Sequence, residues 1–392
     1  MQFIKAGETA ESNIFNRLDE KKRQLMQSGM DVINLSIGTP DFQPDRHVME
    51  AVSRAALDPR QYRYSLTETR ALLDAVRHWY ERRYNVTLED EEIMAVSGSQ
   101  EGIAHVGFAL AGAGDLILAP DPGYPIFTFG PMLTGASIGL YPLRERNGWQ
   151  LDFADIPSDV ADRAKAIIVS YPNNPTTALA DRAFYEELVA FAKRHDIVVI
   201  HDNAYSDLQL NGEQGLSFLS IPGAKEVGIE FNSLSKTYNL TGMRVSFALG
   251  NKDVLARFRA FRSQIDYGMF YPIQAGAVAA LNGPQDIICR NRAGYMARRD
   301  ALCGGLRRIG WDVPDSQGTM FVWAKIPAYF DSAVLFAVEL MERTGVICVP
   351  GDSFGTLGQG YVRFALVVPP ERMKEAVRRI GQSGIVKGEV RR

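Results

Sequence analysis

A lysine that follows a short apolar run and stands among small hydroxyl residues is a candidate covalent anchor, and Lys236 is such a lysine. In Phe231-Asn-Ser-Leu-Ser-Lys-Thr-Tyr-Asn-Leu-Thr-Gly-Met-Arg244 it has Ser233 and Ser235 before it and Arg244 after it. A primary amine condenses with an aldehyde to give an imine. Hydroxyls donate hydrogen bonds, and arginine offers a planar cationic fork suited to phosphate. Together these groups suit a covalently held, phosphorylated aldehyde. Short motifs match by chance often, so alone the stretch reads more readily as a strand entering a solvated loop. The rest of the chain has to decide.

Six further places carry chemistry. Gly98, Ser99 and Gln100 stand between an expected strand and an expected helix, where free backbone N–H groups and the helix dipole favour an anion. Tyr124, in Asp121-Pro-Gly-Tyr-Pro, sits in a rigid loop at a strand's C-terminal end, where open α/β sheets bind ligands. Its ring is either a stacking face for a planar ligand or core packing. Asn174, in Pro172-Asn-Asn-Pro-Thr-Thr177, offers an uncharged amide donor or merely a turn residue. Asp202 ends the apolar run Ile197-Val-Val-Ile-His-Asp, so a strand delivers a carboxylate to the sheet edge, with Tyr205 close behind. The plain alternative makes Asp202 a helix cap and Tyr205 a packing ring; His201 reads as structural. Arg363 lies inside the apolar strand Tyr361-Val-Arg-Phe-Ala-Leu, where a buried guanidinium needs an anion, either an internal carboxylate or a bound α-carboxylate. Gly38, in Ile37-Gly-Thr-Pro-Asp41, is a turn glycine or a point of close backbone approach to a ligand.

The elements that position these residues alternate. An amphipathic helix is expected over 12–28, a strand over Val32–Ser36, and helices from Asp45 to Leu57 and through Leu72–Tyr80. Strands follow at Ile93–Val96, Asp115–Pro120, Ala164–Tyr171, Ile197–Asp202 and after Arg244, with a helix over Asp181–Lys193. Such β/α alternation predicts a doubly wound, mostly parallel sheet. Asn282-Gly-Pro is the best break, and beyond it helices and strands alternate in a smaller α+β unit. Arg391 and Arg392 are expected to fray.

With 392 residues, 46% hydrophobic and 23% charged, the chain has room for two cores of ordinary soluble composition. A net charge of −3 gives no footprint for nucleic acid. No apolar run approaches the roughly 20 residues that span a bilayer, and no signal-peptide pattern stands at the start. Cys289, Cys303 and Cys348 form no metal or disulfide pattern and read as buried fillers in a reducing compartment. A cytoplasmic protein is expected, without metal.

The segment from Ser233 to Arg244 resembles the cofactor-lysine segment of the class I/II aminotransferases, the fold-type-I family that uses pyridoxal 5'-phosphate (PLP). Asp121-Pro-Gly-Tyr-Pro, Asn174, the Asp202/Tyr205 pair and Arg363 match the family in order. The stretches Pro172–Thr176, His201–Leu208 and Gly228–Arg244 look most like its LL-diaminopimelate aminotransferase branch. The resemblance implies a large PLP domain over 46–283 and a small domain from 1–45 and 284–392. It implies that Lys236 anchors PLP and shuttles the α-proton, that Asp202 keeps the ring nitrogen protonated, and that Tyr124 stacks. Asn174 and Tyr205 would hold the ring oxygen. Ser99, Gln100, Ser233, Ser235, Arg244 and Tyr64 of the partner subunit would hold the phosphate, in a homodimer with shared active sites. Arg363, with Gly38 and Asn174, would bind the substrate carboxylate.

The expected reaction exchanges an amino group between an L-amino acid and a 2-oxo acid, both small molecules, with LL-diaminopimelate and 2-oxoglutarate as one pair. Aspartate, alanine or aromatic donors stay open, as does a PLP-dependent C–S β-lyase using the same groups. A non-enzymatic regulator is a remote alternative, since it would carry a fused DNA-binding segment. Thr177 stands where the family usually has glycine, which leaves that turn's geometry to the structure.

Overall fold

The computed structural model describes residues 20–388. The first part of the expected 12–28 helix and the two terminal arginines therefore lie outside the described residues; residues 20–27 are helical. The chain divides into two compact units, one of Pro40–Gly294 with Gln317–Thr319, the other of Met1–Thr39, Tyr295–Ser316 and Met320–Arg392.

After β1 (Ile33–Asn34), the strands of the larger unit are β2 (Ile93–Val96), β3 (Leu116–Asp121), β4 (Ser137–Pro142), β5 (Ala164–Ser170), β6 (Val198–Asp202), β7 (Gly228–Ser233) and β8 (Ser246–Gly250). They form one seven-stranded sheet in the order β2-β8-β7-β6-β5-β3-β4. Only β8 runs against its neighbours β2 and β7; the other pairs are parallel. Parallel pairing requires crossovers, and the helices Ile126–Leu133, between β3 and β4, and Arg182–His195, between β5 and β6, supply two of them. This is the mostly parallel α/β sheet expected from the β/α alternation.

The central strands are apolar without alternation because both faces are covered. Ile167 and Val169 join one buried cluster with Val199, Phe184 and Leu188. Ile168, between them in sequence, joins the other with Ile200, Phe231 and Phe258. Local signals place the flanking helices: Asp181 accepts the Phe184 N–H at 2.9 Å, and Thr69 caps Arg70–Tyr84 through the Leu72 N–H. The helix Ile126–Leu133 and the edge strand β4 fall in a stretch for which no element was expected.

The smaller unit holds β9 (Phe321–Lys325), β10 (Val346–Ile347), β11 (Val349–Pro350) and β12 (Tyr361–Ala365). An antiparallel sheet runs β11-β12-β9, and β1 pairs with β10. The expected strand over Val32–Ser36 contracts to β1, yet Leu35 extends its bonding, donating to Ile347 O at 2.9 Å and accepting from Ala365 N at 2.7 Å. The helix Pro370–Gln382 buries Met373, Ala376, Val377 and Ile380, a spacing that lines one face. Cys303 and Cys348 are buried as expected, but Cys289 is exposed and is not a core filler. Among the described residues no helix is long and apolar enough to cross a membrane.

Candidate active site

The sheet's direction gathers the chemistry. β2, β3, β5, β6 and β7 all point one way, so the residues after them emerge at one edge: Ser99, Tyr124, Asn174, Asp202 with Tyr205, and Lys236. Reversed β8 starts at that edge, which returns Arg244 beside them. The registers agree, pairing Ser170 with Asp202, Asp202 with Phe231, and Ser233 with Ser246.

Lys236 lies on a single helical turn, Leu234–Thr237, whose N-cap Ser233 accepts the Ser235 N–H at 3.2 Å. It is half-buried, whereas Ser233, Ser235 and Thr237 are buried. Nearby, the helix Ser99–Leu110 begins after Gly98, which has φ +98°. A Cβ on Gly98 would lie 2.1 Å from Arg244 Nη2, so the guanidinium rests against the glycine backbone. Arg244 itself takes φ +53° and donates from Nη1 to Thr241 O at 3.0 Å. Ser99 Oγ donates to Ser246 Oγ at 3.3 Å. Helix N-terminus, serine hydroxyls and guanidinium converge as an anion site should.

Asp202 is buried, with Oδ1 accepting the Ala204 N–H at 3.2 Å. Burial pushes its carboxyl up to about 6, against downward pulls from His201, the Ala204 N–H and the Lys236 charge. A carboxylate held this way favours a cationic partner. Tyr205 and Asn174 are buried at the same edge. Tyr124 donates its O–H to Gln100 Oε1 at 3.0 Å, which fixes both side chains. His201 turns to other partners, Glu230 Oε2 at 3.0 Å and Tyr185 Oη at 3.1 Å, in a fully buried network. Amine, buried carboxylate and phosphate-type cradle together fit PLP.

Thr177 adopts φ +66°, the left-handed conformation that glycine takes without strain. Its N–H donates to Asn173 O at 2.9 Å, and Asn173 Oδ1 accepts from Thr176 N and Oγ1 at 3.1 and 2.8 Å. The asparagine thus holds the turn in the glycine geometry although a β-branched residue occupies it.

Gly38 and Arg363 belong to the smaller unit and meet there. A Cβ on Gly38 would strike the Phe321 ring at 2.6 Å. The Arg363 guanidinium lies 4.1 Å from that ring's centroid and 4.6 Å from that of Phe354, and Nη2 donates to Ser36 O at 3.2 Å. Tyr64 does not join the strand-edge group; it is 76% exposed, and its ring packs on Tyr267 at 4.9 Å.

Sequence reasoning missed four residues. Phe321 and Phe354 pack on the Arg363 guanidinium, and apart from their apolar character nothing in the sequence tied them to it. Asp207 and Thr237 brace the lysine turn, Thr237 Oγ1 donating to Asp207 Oδ2 at 2.9 Å. Asp207 is 2% exposed and also accepts from Arg83 Nε at 2.8 Å. An aspartate just beyond Tyr205 and followed by an apolar residue was the available signal.

The family model described as aminotransferase class I and II matches residues 30–380. An LL-diaminopimelate aminotransferase from Moorella thermoacetica is 42% identical over 369 residues, covering 94% of this chain and 94% of its own length. Among solved structures, substrate-bound BacF from Bacillus subtilis aligns with a TM-score of 0.94 at 34% identity, covering 100% of both chains. A probable N-succinyldiaminopimelate aminotransferase from Thermus thermophilus aligns at 0.89 with 36% identity, covering 94% of this chain and 100% of that one.

Proposed function

Since the chain belongs to the class I and II aminotransferase family, with its fold-type-I architecture, we propose that it transfers the amino group of LL-diaminopimelate to 2-oxoglutarate with PLP as cofactor. The donor assignment is carried by one observation, the 42% identity to an LL-diaminopimelate aminotransferase over nearly the full length of both chains.

When bound, PLP supplies an aldehyde that takes up the amino group and a protonated ring that withdraws electrons from the α-carbon. Lys236 is the residue assigned to hold it and, once displaced by substrate, to act as base. Its Nζ accepts the α-proton of the amino acid and later returns a proton, as general acid–base catalysis requires. Asp202 supplies the negative charge that a cationic ring nitrogen needs, and that partner draws its carboxyl down from about 6. Ser99, Gln100, Ser233, Ser235 and Arg244 are assigned to the phosphate, Asn174 and Tyr205 to the ring oxygen, and Tyr124 to the ring face. Arg363, packed against Phe321 and Phe354, is assigned to the substrate α-carboxylate together with Gly38 and Asn174.

A second copy of the chain is assigned to contribute Tyr64. The exposed aromatics Tyr62, Tyr64, Tyr267 and Phe270 support this, because a clustered apolar patch favours a partner. The domain division proposed is a large PLP unit and a small unit built from both chain ends.

The test presents LL-diaminopimelate, aspartate, alanine or phenylalanine separately with 2-oxoglutarate to PLP-loaded protein and measures glutamate formed. LL-diaminopimelate is expected to give the highest kcat/KM. A faster alternative donor would discard the substrate and keep the class. Lys236→Ala is expected to lower the rate about 10²–10⁴-fold, and a wild-type rate in that variant would sink the reaction itself.

A further inference from the structure

A cavity of about 450 Å³ opens in the larger unit, and Trp79, Arg82, Arg83, Gln285, Cys289 and Arg292 are among the residues that line it. Among the described residues no carboxylate lines its wall. Arg83 is held by Asp207, its Nε at 2.8 Å and Nη2 at 2.5 Å from Oδ1. Arg82 Nη2 and Arg292 Nη1 instead donate to main-chain oxygens, Leu281 O and Glu213 O, each at 3.1 Å. Among the described residues neither of these two arginines forms a salt bridge. Asp207 thus offsets one charge of three, and the cavity keeps a positive surplus. Its size is that of a small-molecule site, and forked guanidiniums favour carboxylate or phosphate.

Three hydrogen bonds tie the lysine turn to one wall residue and to two residues just behind or beside the wall. Asp207, which holds Arg83, accepts from Thr237 Oγ1 at 2.9 Å. Gln285 Oε1 accepts the Tyr238 O–H at 2.6 Å. Asn291, next to Arg292 on the helix Asp286–Arg308, donates from Nδ2 to Thr237 O at 3.0 Å. The two residues after Lys236 are therefore held by one wall residue, Gln285, and by Asp207 and Asn291, which bond or adjoin the wall residues Arg83 and Arg292.

We propose that this cavity binds a small organic polyanion at a place distinct from the amino-acid substrate, and that binding stiffens the turn carrying Lys236. Three guanidiniums around one cavity repel each other; an anion among them removes that repulsion and orders the wall. The binding itself does not depend on the reaction assigned above, whereas its consequence for catalysis rests on that reading of Lys236.

Cys289 makes the site addressable, because it lines the cavity and is exposed while Cys303 and Cys348 are buried. Full-length PLP-loaded protein is alkylated with neutral iodoacetamide in the presence of citrate, AMP or sodium chloride of equal ionic strength, and Cys289 modification is followed by peptide mass spectrometry. Citrate or AMP is expected to slow modification saturably, at least fivefold beyond the chloride control, and whichever protects identifies a carboxylate or a phosphate ligand. Arg82→Gln and Arg292→Gln, tested separately, are expected each to raise the half-protecting concentration about tenfold and to leave amino transfer without the anion unchanged. Amide exchange across 234–238 is expected to slow when the anion binds. No protection beyond chloride, equal protection in both variants, or displacement by the amino-acid substrate would overturn the site. Protection with unchanged exchange over 234–238 would overturn the link to the turn. Transamination that fails while Cys289 protection persists would count against the catalytic reading alone.

Discussion

Asp202 ends β6 with its carboxyl pushed up to about 6 by burial, and that shift has a measurable sign. A folded-state value above the unfolded one gives stability that is full below about pH 4 and is lost as pH rises through about 6. Without cofactor, Asp202→Asn is therefore expected to be more stable than wild type above pH 6, by on the order of 2–3 kcal/mol, and to lose that advantage near pH 4. Thermal melts of both apo-proteins across this range check it, and the same variant is expected to bind PLP far more weakly. At Thr177, relief of a left-handed conformation costing roughly 1–2 kcal/mol is offset by lost burial and by the freedom of glycine. Thr177→Gly is thus expected to stay within about 1 kcal/mol of wild type, while Thr176→Gly, which strips the buried bond to Asn173, costs about 2 kcal/mol; denaturant titration separates them. That Lys236, Asp202 and Arg244 lie at one sheet edge was legible in the sequence, because their residue types and their order among the strands suggested it. Asp207, Phe321 and Phe354 were not, because each acts on a residue distant in sequence or on the far side of a turn, and no local pattern announces such a pairing.

Among the elements, the helix Ser99–Leu110 depends on the residue before it. Gly98 combines φ +98° with a guanidinium where a Cβ would stand. Gly98→Ala is expected to displace Arg244, to weaken PLP binding at least about tenfold, and to cost roughly 1–3 kcal/mol of stability; cofactor titration and a melt read the two effects separately. Strands β5 and β6 were visible as apolar runs because both faces are buried. β4 was not, since it is an edge strand whose Ser-Ile-Gly-Leu-Tyr-Pro is half exposed and carries Gly139. The helix Ile126–Leu133 escaped for a related reason: apart from Thr128 it has no polar side chain, and Pro131 lies inside it, so no period marks a face.

For the whole molecule, the exposed Tyr64 gives the assignment of a second copy a direct test. Lys236→Ala and Tyr64→Ala proteins, each deficient alone, are expected to regain activity when unfolded and refolded together, because a mixed dimer contains one site with both residues intact. No recovery in the mixture would remove Tyr64 from the site. Sequence order implied the α/β architecture, but one reversed strand was beyond it, since pairing direction is decided between strands and not within them. That strand, β8, returns to β7 through the short stretch bearing Lys236 and ends the traverse at Arg244. Every parallel pair must first close a loop over a crossover, whereas β7 and β8 pair across a local connection. Pulse-labelled refolding is accordingly expected to protect the β7–β8 amides before those of β5–β6. The corner that carries the lysine then assembles first, and the remainder of the sheet is templated upon it.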